Sequence, residues 1–153
     1  MEAHITTKPA FRVVGLKHRG NNDNNELPQL WDRFAERVAE VKPSAVEPIT
    51  AYGICTNLDK QNNIFDYIAG LEVHRADRIP PGMVLFEIPE QEYAVFECTL
   101  PTIIVTIDLI YHTWLPGADY ERTDGPEFEL YDADFDPTVP ESTLQICIPI
   151  REK

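Results

Sequence analysis

The chain has 153 residues, 43% of them hydrophobic, and a formal net charge of −13. That length supports one ordinary domain around a single core, and that apolar content excludes a disordered chain. A surface this acidic repels phosphate backbones, which argues against direct nucleic-acid binding, and it attracts cations, lipophilic ones included.

The start, MEAHITTKPA, has no apolar centre of the kind a signal peptide needs. Residues 1–8 read as a flexible N-terminal tail and 9–153 as one domain. No apolar run approaches the ~20 residues that span a bilayer, so no membrane partner is expected. The first strand is expected over Phe11–His18, and Gly20 with the Asn21–Asn25 cluster closes it. Leu27, Leu30, Trp31, Phe34, Val38 and Val41 then recur at three- and four-residue intervals. They predict an amphipathic helix over Glu26–Val41, with Pro28 in its first turn and Pro43 ending it. Trp31 and Phe34 read as core packing.

A second strand is predicted over Ala51–Thr56 and a third over Ile64–Val73, where Gly70 marks a bulge or a close backbone approach. Pro80-Pro81-Gly82 and Met83–Ile88 form a crossover with a short extended piece. The order then repeats. A strand is expected over Glu92–Thr99 and a helix over Thr102–Trp114, with Thr99 or Thr102 as its N-cap. Pro116 and Gly117 stop that helix. Strands follow at Glu127–Tyr131 and Leu144–Ile150, where Pro149 indicates an edge or terminal position.

The economical reading is an α+β fold of tandem duplicated βαββ units, repeats roughly 9–76 and 90–151. Each unit is an antiparallel sheet with one helix packed on it, and a cleft lies at the pseudo-two-fold seam. Cys55, Cys98 and Cys147 each sit in an apolar strand and read as reduced, buried thiols of a cytoplasmic protein. His4, His18, His74 and His112 are scattered without metal-ligand spacing, and no nucleotide or hydrolase motif is present. No metal and no cofactor is expected.

One strand stands out. In Glu127-Phe128-Glu129-Leu130-Tyr131, alternation puts Phe128 and Leu130 on one face and Glu129 and Tyr131 on the other. If the first face packs on a helix, an acid and an aromatic look across the sheet. The bland alternative is an edge strand with Glu129 in water.

Several segments together resemble a known family. They are Phe65–Gly70, Ile88–Phe96, Ile110–Pro116 with Tyr120, Pro126–Tyr131 and Ile146–Ile150. The set is similar to the GyrI-like small-molecule-binding domains, the effector-binding domains of AraC-type and multidrug-sensing regulators, built as an SHS2 tandem. The resemblance runs from Phe11 to Ile150. It implies an aromatic pocket for lipophilic cations with a central glutamate, which by motif position is Glu129, and Tyr131 as the aromatic two residues on. With no DNA-binding domain in the sequence, the chain is expected to be like the stand-alone members. It departs from the family in carrying Thr99-Leu100-Pro101 where a small residue is usual.

The expected ligand-binding set is therefore Glu129, Tyr131, Trp114, Tyr67 and Tyr93, with a hydrophobic, cationic small molecule as partner. A carboxylate in an aromatic cleft is costly to desolvate, and a cation compensates it with help from the rings. Two alternatives stay open. Glu129 can serve as general acid or base, with Tyr131 or Tyr67 positioning, in a hydrolase of reactive small molecules, as some relatives resembling this chain do. Alternatively, the acidic surface can dock a protein partner such as a topoisomerase.

Overall fold

A computed structural model describes residues 1–75 and 77–153. Among the described residues nine antiparallel strands join in one sheet. They are β1 (His4–Lys8), β2 (Phe11–Gly20), β3 (Ala51–Asp59), β4 (Ile64–Val73), β5 (Val84–Ile88), β6 (Gln91–Thr99), β7 (Tyr120–Arg122), β8 (Glu127–Tyr131) and β9 (Thr143–Glu152). Their order is β1-β6-β9-β8-β3-β4-β2-β5, with β7 paired to the far end of β9. Helix α1 spans Glu26–Arg37. Helix α2 spans Ile103–Leu109 and continues through a π-helical turn, Ile110–Trp114, and a last turn, Leu115–Gly117.

The duplication is visible in the order. Strands β2, β4 and β3 form one half, and β6, β9 and β8 the other. The halves meet where β3 pairs with β8 over five residues, from Ala51↔Tyr131 to Cys55↔Glu127. The middle pair is Gly53↔Glu129. These two residues are thus each other's counterparts about the pseudo-two-fold axis.

Each half carries a further strand at its outer edge, and that strand is exchanged. β1 precedes β2 in the chain but pairs with β6, and β5 precedes β6 but pairs with β2. His4–Lys8 is therefore an edge strand and not a flexible tail. Ile5 explains it: this residue packs against the core of the opposite half. The repeat boundary expected at residue 76 lies outside the described residues. Pro149 lies in an inner strand, not at an edge. It sits where β9 changes partner, from β8 at Phe128↔Cys147 to β7 at Arg122↔Ile150, so its missing N–H breaks no ladder bond there. Its carbonyl accepts from Thr123 N–H at 3.0 Å.

Both helices cover the same face. Leu30 and Phe34 of α1 pack on Val14, Tyr67, Ala69 and Leu71. Ile103, Ile107 and Ile110 pack on Phe96, Cys98, Ile146 and Ile148. α1 is shorter than its apolar stripe, because 3-10 turns take over at Val38–Glu40 and Lys42–Ser44. Before α2, Thr99 and Thr102 close a capping box: Thr99 N–H donates to Thr102 Oγ1 at 3.0 Å. The unusual Thr99-Leu100-Pro101 segment is thereby a well-formed helix entrance.

The opposite face holds a third cluster without any helix residue: Phe11, Val13, Tyr52, Ile54, Ile68, Tyr93, Phe128 and Cys147. Phe128 is its hub. Its ring lies 5.6, 5.4 and 5.0 Å from those of Phe11, Tyr52 and Tyr93. Phe128→Ala is expected to cost about 3–5 kcal/mol, read by urea unfolding, because this face cannot collapse onto a helix to fill the cavity. Close approach also shapes this sheet: a Cβ on Gly70 would sit 2.4 Å from Val14 O, as the sequence indicates for that residue.

Candidate functional site

β8 lies inside the sheet between β9 and β3. The edge-strand alternative for Glu129 therefore fails, because the strand has hydrogen-bonded neighbours on both sides. Its faces are also reversed from the simplest expectation. Phe128 and Leu130 point to the helix-free cluster. Glu127, Glu129 and Tyr131 point to the helix face, at the seam between α1 and α2.

The half-buried carboxylate of Glu129 is reached from both halves. Tyr67 OH, from β4, donates to Glu129 Oε1 at 2.8 Å, and Tyr131 OH donates to the same oxygen at 2.8 Å. Trp31 Nε1, from α1, donates to Tyr67 OH at 2.9 Å. The order indole, phenol, carboxylate leaves each hydroxyl donating toward the acid. Oε2 accepts no hydrogen bond from the described residues. The rings pack edge to face: Trp31 lies 5.5 Å from Tyr131 and 6.5 Å from Tyr67, and Tyr131 lies 4.9 Å from Phe135. Such pairs each contribute about 0.5–1.5 kcal/mol beyond their burial.

Burial raises the Glu129 pKa above the ordinary carboxylate value. The Tyr131 and Tyr67 hydrogen bonds oppose that rise, and the charge of Glu127 adds to it. Burial, and then the Glu129 charge, push both phenols well up, so they stay donors. Cys55 lies beside these acids and is pushed well up by burial first and then by Glu129 and Glu127. Burial also lifts Cys98 to about 11 and Cys147 to about 12. All three thiols are unpaired and in their unreactive form.

Gly53 makes the arrangement possible. A Cβ there would stand 2.0 Å from Tyr67 OH and 2.7 Å from Glu129 Oε1. The residue opposite the acid must be glycine for a phenol to reach across the seam. A glycine inside a predicted strand was the available signal. Trp31 gave no such signal, since it falls within an ordinary amphipathic stripe.

Glu127, two residues from Glu129, has a different environment. Arg122 Nη2 lies 3.1 Å from Glu127 Oε1, Arg122 Nε donates to Tyr111 OH at 3.0 Å, and Tyr111 OH donates to Glu127. One acid is thus ion-paired and the other is not.

The remaining sequence-predicted residues lie elsewhere. Trp114 is on the helix face but packs on Phe96 at 5.1 Å and stacks with Tyr120 at 6.5 Å, next to the second-half core. Tyr93 projects to the opposite face, against Phe128, so it does not share a wall with Glu129; strand alternation along β6 decides this, because Ala94 and Phe96 take the helix face. Two open depressions, of about 540 and 500 Å³, lie around Phe11, Glu72 and His74 and around His18, Asp32 and Arg33, and do not include Glu129. Among the described residues no three of His, Cys, Asp and Glu converge to hold a metal, and no helix is long and apolar enough to cross a membrane. Several acids of the 119–136 segment serve its own turns and strands: Asp132 and Asp136 accept from the N–H groups of Asp134 and Thr138, and Glu121 pairs with Arg151 at 2.8 Å.

Two pseudo-repeated halves, joined at a seam that carries an acid beneath aromatic rings, make up this α+β domain. The chain belongs to the GyrI-like small molecule binding domain family, whose model matches residues 1–151. It is 39% identical over 153 residues to the transcriptional regulator BrlR of Pseudomonas aeruginosa, covering 98% of this chain and 56% of BrlR, so it spans about half of that relative. Among solved structures it resembles SAV2435, described bound to tetraphenylphosphonium, with a TM-score of 0.81 at 18% identity over 99% of this chain and 94% of that one. It also resembles a putative transcription regulation protein of Staphylococcus aureus MU50, with a TM-score of 0.71 at 19% identity over 99% of each chain. At those identities the structural likeness shows the fold.

Proposed function

We propose that the seam around Glu129 binds a lipophilic, aromatic cation. The observation that carries this reading is the half-buried Glu129 carboxylate, whose Oε1 takes both phenols while Oε2 keeps no partner. Burial makes the carboxylate charge costly, the two phenols offset part of that cost, and a cation offsets more of it. Trp31, Tyr67, Tyr131 and Phe135 supply ring surface, and a desolvated cation over a ring gains about 2 kcal/mol. The tetraphenylphosphonium bound to SAV2435 has this chemistry. In the free protein the rings occupy the seam. Trp31, half-buried on a surface helix and tied by one side-chain hydrogen bond, is the ring that yields to a bulky ligand.

Titration with tetraphenylphosphonium tests this, followed by fluorescence of the two tryptophans, Trp31 and Trp114. The change is expected to vanish in Trp31→Phe and to persist in Trp114→Phe; the reverse outcome refutes the seam as the site. The pH dependence has a definite sign. Below the raised Glu129 pKa the free carboxyl is protonated and neutral, and a cation must displace the proton. Affinity should rise as pH climbs through that pKa and level off above it, with proton release in the same window. Calorimetry in two buffers of different ionisation enthalpy reads the released protons, and a pH-independent affinity would count against a carboxylate anchor.

A further inference from the structure

We infer that Arg122 sets the charge valence this site accepts: by pairing with Glu127 it leaves Glu129 as the single open carboxylate, so the site prefers monocations to dications. This rests on the cation-binding reading above. Glu127 and Glu129 share one strand face, separated by about 6–7 Å along β8. Left alone, they would form a dianionic floor suited to two linked positive charges. The fold prevents that. Strand β7 places Arg122 opposite Ile150 of β9, which aims its guanidinium back at β8. Its Nη2 lies 3.1 Å from Glu127 Oε1, its Nε donates to Tyr111 OH at 3.0 Å, and its Nη1 donates to Thr123 O at 2.5 Å. Tyr111, from the π-helical turn, donates to the same Glu127 oxygen. The Arg122 and Glu127 side chains are only 29% and 21% exposed, so water screens the pair weakly. Arg122 is also the one basic residue among the acids of the 119–136 segment. It forms the positive end of a neutral pair beside Glu129, and a second ligand charge placed there would meet no free counter-charge.

The experiment compares the dissociation constants of tetraphenylphosphonium, a monocation, and benzyl viologen, an aromatic dication, in five proteins, Glu129→Gln among them. Relative to wild type, Arg122→Gln should shift preference toward the dication by about tenfold. Glu127→Gln, which leaves an unpaired guanidinium, should shift it about tenfold the other way. Arg122→Gln with Glu127→Gln should restore the wild-type ratio. Opposite shifts in the two single variants with restoration in the double establish the inference even if either single variant loses overall affinity, because each reading is a ratio within one protein. If Arg122→Gln does not fold, Glu127→Gln and the double variant still decide the question. Ratios within twofold of wild type in all variants, with tetraphenylphosphonium binding still dependent on Glu129, overturn the valence role alone. Binding that does not depend on Glu129 overturns the site reading itself.

Discussion

Glu129→Gln is expected to weaken tetraphenylphosphonium binding between tenfold and a hundredfold, about 1.4–2.7 kcal/mol, while leaving the fold intact. The glutamine amide keeps the shape of the side chain and an oxygen that accepts from Tyr67 and Tyr131, so the two 2.8 Å bonds survive. What disappears is the charge. At an effective dielectric near 20, a cation about 5 Å from a carboxylate gains roughly 3 kcal/mol, which sets the upper end of that range. A neutral aromatic of similar bulk, triphenylphosphine oxide, should bind both proteins alike.

Stability should move in the opposite direction. Because folding raises the Glu129 pKa, the folded chain holds its proton more tightly than the unfolded one. The acid is therefore tolerated at low pH and becomes a burden as pH rises through the folded value. Above that point Glu129→Gln should melt higher than the wild type, and the two should converge only below the ordinary carboxylate value that Glu129 has in the unfolded chain. Lower affinity together with higher thermal stability at neutral pH is the signature of a functional acid placed at a cost to the fold. Loss of both would mean that Glu129 is structural.

Gly53→Ala is the second large effect. The new Cβ would overlap Tyr67 OH and crowd Glu129 Oε1, and no rotamer choice avoids a Cβ. The phenol must move, which breaks its bond to Glu129 and frees the Trp31 indole that leans on it. Overpacking of this kind costs typically 1–3 kcal/mol in urea unfolding, and the disordered wall should weaken cation binding in parallel. Removing the obstructing hydroxyl gives a check: Gly53→Ala combined with Tyr67→Phe should be less destabilising than the two single losses added together. Strict additivity would show that Gly53 and the Tyr67 hydroxyl do not interact. An alanine tolerated with full stability and affinity would remove Gly53 from the site.

Much of this domain was legible in the chain. Strand periodicity placed β4 and β8 at their observed ends, the three- and four-residue spacing of Leu27, Leu30 and Phe34 placed α1, and the repeated order of elements indicated the duplication. These are local properties. Each follows from the period of one element and the turn chemistry at its ends, and each survives without knowledge of what the element packs against. The pairing of Glu129 with Tyr131 is of the same kind, since two residues on one strand must share a face.

Tertiary structure alone decided the rest. Tyr67 and Trp31 come to Glu129 through the β3–β8 seam and the packing of α1, contacts that span 62 and 36 residues of chain in the Tyr67–Glu129 and Trp31–Tyr67 bonds. Tyr93 is as aromatic and as buried as Tyr67, yet it faces away, because its position in the β6 alternation, fixed by pairing to β9, puts it there. The exchange of β1 and β5 between halves leaves no local trace, since an edge strand reads the same whichever neighbour it joins. Composition supplies acids and rings in both halves; only the register that sets glycine opposite glutamate brings one of those acids beneath rings from both halves.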